Sequence, residues 1–193
     1  MQIKEIETFC PATRQEWRLW LQENHVSKQS VWLVQHKVKS GKPSISWSEA
    51  VDEALCFGWI DSTRKTIDHE TFIQFFCKRK PNSVWSKINK AKVQHLIAEG
   101  LMMQAGYDSV ERAKQNGSWA MLDDVEELTI PADLETAFHT NPGSMDFFSG
   151  LSKSVRKSIL QWLVLAKRPE TRQKRINEIA ELAAQRMKPK QFG

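Results

Sequence analysis

Residues 155–166 place Val155, Ile159, Trp162, Leu163 and Ala166 at i, i+4, i+7, i+8 and i+11. That spacing puts all five on one face of a helix and does not fit a strand. A one-sided helix must bury its stripe against another element. Pro169 suits the first turn of a second helix, with Ile176, Ile179, Ala180 and Ala183 as its apolar stripe. The pair predicts an α-helical hairpin, followed by a frayed tail, KPKQFG.

The N-terminal part reads differently. Thr13 and Glu16 have capping-box spacing, with Trp17, Trp20 and Leu21 behind them. Ser30 to Val38 is rich in β-branched and aromatic residues and reads as a strand. The segment Ser40 to Pro43 is a turn. Ser46 and Glu49 form a second capping box before Trp47, Val51, Ala54 and Leu55, and Gly58 stands where a left-handed residue would end that helix. Gly58 to Thr66 and Thr71 to Arg79 read as two strands, with Asp68 and His69 in the hairpin loop.

Helices dominate after Pro81. Ser83 is placed to cap Val84 to Glu99, which Gly100 ends. Asp108 and Glu111 open a helix through Asn116, stopped by Gly117. Met121 to Pro131 reads as an acidic connector, and Asp133 to Thr140 as a short helix ended by Asn141-Pro142. The order predicts an α+β fold: a small antiparallel sheet covered by helices, with a C-terminal basic α-helical hairpin. The expected domains are an α+β domain over residues 1–130 and a helical module, packed on it, over 131–193.

The net charge of +5 is uneven, since residues 153–193 carry 11 Lys/Arg and 3 Asp/Glu. Thr71 to Ala98 adds six Lys/Arg with no acid. Such asymmetry fits an anionic partner, and equally a solvated face that keeps the chain soluble. No apolar run reaches the length of a membrane span, so no insertion is expected. The segment MQIKEIETFCP lacks the apolar core of a secretory signal. Cys10, Cys56 and Cys77 are odd in number and widely spaced, which fits reduced thiols in the cytoplasm.

Several chemistries lack their signatures. The five His residues form no HxxxH pair, and no Cys stands at metal-ligand spacing, so no metal is expected. There is no GxGxxG, no phosphate-binding P-loop and no GxSxG elbow. Cys77 precedes Lys78, Arg79 and Lys80, which would favour a thiolate. An apolar strand cysteine is more often core filler. No cofactor is called for, and the reading leans away from catalysis.

The densest cluster lies around the hairpin. Trp59, Asp61 and Ser62 begin one strand and Arg79 ends the next. Asn82, Ser83, Trp85, Ser86 and Asn89 straddle the following helix start. Helix N–H groups, an arginine and an aromatic wall together suit an anionic ligand. The same residues also read as plain structure: Trp59 and Trp85 in the core, Asp61 and Arg79 as an ion pair, Ser83 as a cap.

The strings FGWIDS (Phe57 to Ser62), RKPNSVWSKIN (Arg79 to Asn89), LIAEGLMMQAG (Leu96 to Gly106) and AKRPETRQKRI (Ala166 to Ile176) resemble the bacterial YdeI/OmpD-associated, or bacteriocin-protection, family over nearly the whole chain. That family is grouped with YjbR/CyaY-like proteins, which implies a compact α+β domain. The resemblance implies a role in tolerance of bacteriocins or cationic antimicrobial peptides, and supplies no catalytic residues. It adds weight to Trp59, Asp61, Ser62, Arg79, Trp85, Ser86 and Asn89 as ligand-binding residues.

Three functions follow as expectations. The first is a non-catalytic cytoplasmic binding protein in stress or envelope defence, with a small anion or a protein as partner. The second is a nucleic-acid-binding regulator, with Arg168, Arg172, Lys174 and Arg175 meeting phosphates. The third is an enzyme on a small anionic substrate, with Asp61 as acid or base and Arg79 as clamp. Eight Trp also leave room for an aromatic homodimer interface.

Overall fold

The computed structural model describes residues 7–193. They fall into two compact units, one through Trp119 and the other Ala120–Gly193. The fold is mixed α and β, with a four-stranded sheet in the first unit and a helical second unit.

The first unit contains β1 (Thr8–Phe9), α1 (Arg14–Asn24), β2 (Ser30–His36), α2 (Trp47–Cys56), β3 (Trp59–Thr66), β4 (Thr71–Lys78), α3 (Lys87–Ala98) and α4 (Gln104–Gln115). Sheet order is β1-β2-β4-β3. The two longer pairings are antiparallel, and the two-residue β1 adds in parallel beside Trp32 and Leu33. β2 and β4 alternate strictly: Val31, Leu33, Gln35, Phe72, Gln74 and Phe76 are buried, and their neighbours are partly exposed. Directly paired residues share a face, so one side of the sheet meets the core and the other does not.

The core joins Trp17, Trp20 and Leu21 of α1 to Val51, Ala54 and Leu55 of α2 and to Trp59 and Phe76 of the sheet. Trp20 meets Trp59 edge-on at 5.8 Å. Among the described residues, two charged groups are buried in this unit, Glu53 and Arg79. Glu53 of α2 is 2 % exposed and is bound by Arg14 and Arg18, both from α1.

The second unit contains α5 (Asp123–Glu126), α6 (Ala132–His139), α7 (Ser144–Gly150), α8 (Lys153–Val164) and α9 (Pro169–Ala184). Ile159 and Leu163 face inward with Ile176, Ile179, Ala180 and Ala183, as their spacing requires. Phe138 and Phe148 meet at 5.2 Å. Val125 of α5 is buried, and Glu126 takes a 2.6 Å bond from Lys157 of α8. The acidic connector is therefore partly helical and belongs to this unit.

Several local expectations need correction. Ser86 caps α3 by accepting from the Asn89 N–H, so the helix starts three residues after the expected Val84. The cause is Arg79, whose side chain donates to the Val84 carbonyl and holds that stretch outside the helix. α4 starts at Gln104 rather than near Asp108, with Met103 as a cap that offers no side-chain bond. Trp47 is 44 % exposed instead of lying on the buried stripe of α2. The tail is not frayed: Lys190–Phe192 forms a 3-10 turn, and Phe192 meets Trp162 at 5.8 Å.

Candidate functional site

The site begins with a sharp helix end. α2 stops at Cys56, and Gly58 turns the chain into β3 with φ of +70°. A side chain at Gly58 would lie 2.7 Å from the Ala105 carbonyl oxygen, so glycine lets α4 approach this corner. The Gly58 carbonyl then accepts the Arg79 N–H at 2.9 Å, which fixes the end of β4 against the start of β3.

A cleft of about 240 Å³ opens at this corner. Its walls include His25, Trp59, Lys78, Arg79, Ser109 and Arg112. Three of these carry permanent positive charge, and Asp108 is the one carboxylate among the lining residues. His25 is oriented by its Nδ1, 2.9 Å from the Leu21 carbonyl. Since a carbonyl only accepts, Nδ1 carries the hydrogen, and Nε2 remains as the second ring nitrogen.

Arg79 is the unusual group. It is 8 % exposed, and its guanidinium lies 3.6 Å from the Trp85 ring centroid. Nη2 donates to the Val84 carbonyl at 2.6 Å. Nε and Nη1 are buried with no partner among the described residues. No carboxylate of the described residues makes an ion pair with it. Burial pulls its pKa down to about 10, against the opposing pull of Asp61 and Cys77. Asp61 is engaged elsewhere, with its Oδ2 accepting from Trp47 Nε1 at 2.9 Å and Gln74 Nε2 at 3.1 Å.

The structure thus separates the seven hairpin residues. Trp59 and Arg79 line the cleft, and Trp85 backs Arg79 while meeting Trp119 at 4.9 Å. Asp61 belongs to the Trp47–Gln74 network, not to an ion pair with Arg79. The Ser62 carbonyl accepts from Gln74, and Ser86 and Asn89 form the cap of α3. Sequence reasoning missed His25, Ser109 and Arg112, which come from α1 and α4 and share no local spacing with the hairpin. Burial raises the Cys77 thiol pKa, against Lys80 and Arg79.

The basic residues of the second unit also divide. Arg172 forms a two-point bond to Asp133, at 2.6 and 3.0 Å. Arg175 donates to the Trp162 carbonyl and covers the Trp162 ring at 4.6 Å. Arg168 and Lys174 are exposed. No group of three or more metal-ligating side chains occurs among the described residues. None of their helices is long and apolar enough to cross a membrane.

The chain thus combines an α+β unit, with a basic cleft at a strand–helix corner, and a helical unit. Residues 9–109, just over half of the chain, match the family described as a domain of unknown function, DUF8412, and the chain belongs to that family. Residues 127–186 match the family described as "Bacteriocin-protection, YdeI or OmpD-Associated". The likeness expected over nearly the whole chain is therefore shown for the C-terminal part. Only AKRPETRQKRI of the four strings lies inside it. No curated protein and no solved structure matches the chain.

Proposed function

We propose that this is a non-catalytic cytoplasmic binding protein whose cleft takes a small anion, and that it serves tolerance of bacteriocins or cationic antimicrobial peptides. One observation carries the anion: a guanidinium over nine-tenths buried, with no carboxylate partner among the described residues, beside a cleft lined by two further cations. An uncompensated buried charge is costly, and a bound anion offsets that cost. The match of residues 127–186 supports the biological role. A grouping with YjbR/CyaY-like domains is part of the same proposal. Three free cysteines, one exposed, accord with a reducing compartment.

The role in tolerance is indirect on this reading. A chain with net charge +5 repels a cationic peptide rather than sequestering it. Binding of the anion would instead report a metabolic or envelope state to another component.

Titration of the full chain with inorganic phosphate and with benzoate, followed by tryptophan emission, tests the cleft. A saturable change with either probe, lost in Arg79→Met while circular dichroism is retained, is the expected result. No response in the wild type, or an equal response in the variant, overturns the reading. Bacteria carrying only Arg79→Met should also lose tolerance of the peptide.

A further inference from the structure

We infer that the sheet face of the first unit turned away from the core is a docking surface for single-stranded nucleic acid. Trp32 and Val34 of β2 and Ile73 and Phe75 of β4 lie on this face. All four are partly exposed, and none belongs to the core cluster. Trp32 and Phe75 are direct partners across the two central strands, with ring centroids 4.9 Å apart. Such a pair would be unusual on a face meant only for water, where polar residues ordinarily alternate with the buried ones.

The charge around it selects the occupant. Lys65 pairs with Ile73 on the same face, and its ammonium lies 4.9 Å from the Trp32 ring centroid. The segments flanking β2 carry Lys28, Lys37, Lys39 and Lys42, with no acid between Glu23 and Glu49. Glu70, beside Asp68 at the hairpin tip, is bonded to Lys42 at 2.7 Å and Glu7 to Lys28 at 2.6 Å, which leaves Lys37, Lys39 and Lys65 as the cations with no carboxylate partner among the described residues. Aromatic rings on an open sheet, bordered by cations, match unpaired bases joined by phosphates. A duplex hides the faces of its bases, and a second copy of the chain would bring like charges together. The surface shares no residue with the Arg79 cleft or with the basic helices, so the three can fail independently.

Fluorescence anisotropy with a labelled oligothymidylate of about fifteen residues, against a duplex of equal length, tests the assignment. The single strand should bind more tightly than the duplex, with affinity falling steeply as salt rises. Trp32→Ala and Phe75→Ala should each weaken binding about tenfold. Trp32→Phe should retain most of it, and Lys65→Gln should weaken it and flatten the salt dependence. Replacing Arg168 and Lys174 with Gln should change little. Because Trp32→Ala could disturb folding, the exposed Lys65→Gln serves as the independent check. Absence of binding at low salt, preference for the duplex, equal binding by well-folded Trp32→Ala, or loss only on changing Arg168 and Lys174 overturns the inference. So does a wild-type dimer that Trp32→Ala dissociates.

Discussion

The Arg79 guanidinium lies 3.6 Å from the centroid of the Trp85 ring, and the Arg79 side chain bonds the carbonyl just before that tryptophan. One side chain therefore shapes the entry to α3 and carries the buried charge of the cleft. Two replacements separate those roles. Arg79→Lys keeps the charge and gives up the stacked plane, because an ammonium is a compact point charge. Arg79→Met gives up the charge and keeps the hydrocarbon packing. In urea unfolding, Arg79→Met should be the more stable of the two variants by about 1 kcal/mol or more. A more stable Arg79→Lys would mean the buried charge is well compensated.

The cap of α3 offers a direct comparison of two serines three residues apart. Ser86→Ala should cost about 1 kcal/mol, because it removes the acceptor for the Asn89 N–H. Ser83→Ala should stay within about 0.5 kcal/mol. Equal costs in chemical denaturation would argue that Ser83 also stabilises the helix start.

Gly58 and Gly41 share a positive φ, at +70° and +68°, but not their surroundings. Gly41→Ala should cost about 1 kcal/mol for the backbone conformation alone. Gly58→Ala adds a clash with the Ala105 carbonyl and should cost at least about 2 kcal/mol. The thermal midpoints of the two variants check this order.

Thiol labelling should follow exposure. Cys10 is exposed, Cys77 partly so, and Cys56 buried with its pKa pushed up to about 11, mainly by burial. Mass spectrometry of the native protein treated with iodoacetamide at mildly alkaline pH should find Cys10 modified first. Cys56 should react only on unfolding. Early labelling of Cys56 would mean that the core of the first unit opens readily.

Asp133 gives the second unit a pH signature. Its hydrogen bonds from Arg172, and then the charge of that residue, hold its carboxyl below the ordinary value. A folded pKa lower than the unfolded one adds stability at neutral pH, which is lost as pH falls through the folded value. Both side chains are partly exposed, so the contribution is small. Asp133→Asn should lose about 0.5 kcal/mol at neutral pH and match the wild type by about pH 2. A gap that persists in acid would point to packing rather than charge.

Legibility in the sequence followed the range of the interactions. The Ser46–Glu49 capping box closes in both directions, as a four-residue signal can specify. The β-branched and aromatic content of β2 and β4 gave the sheet, and the i, i+4, i+7 stripe gave α8. The start of α3 was misplaced because its deciding partner is Arg79, outside the helix. Likewise α4 begins without a side-chain cap, where Gly106 packs against the carbonyl oxygens of Leu55 and Cys56. The two-residue β1 is too short to show a period. Trp59 and Arg79 stood out as site residues because the hairpin brings them together locally. His25 and Arg112 reach the same cleft only through the packing of α1 and α4.

Glu53, held between Arg14 and Arg18, has a consequence for the descent of this chain. The two arginines stand one turn apart on α1, so the carboxylate fixes how that helix is seated along α2. Loss of one arginine leaves Glu53 with the other, loss of Glu53 leaves two partly exposed arginines without their carboxylate, and loss of both arginines strands the carboxylate in the core, whereas joint replacement by hydrocarbon side chains of similar volume can be neutral or favourable. Single-step change is therefore tolerated best at Arg14, the more exposed of the two arginines, and least at Glu53. Glu53 should be inherited with at least one of its arginines, and lineages that keep it without either should show a compensating cation beside the gap.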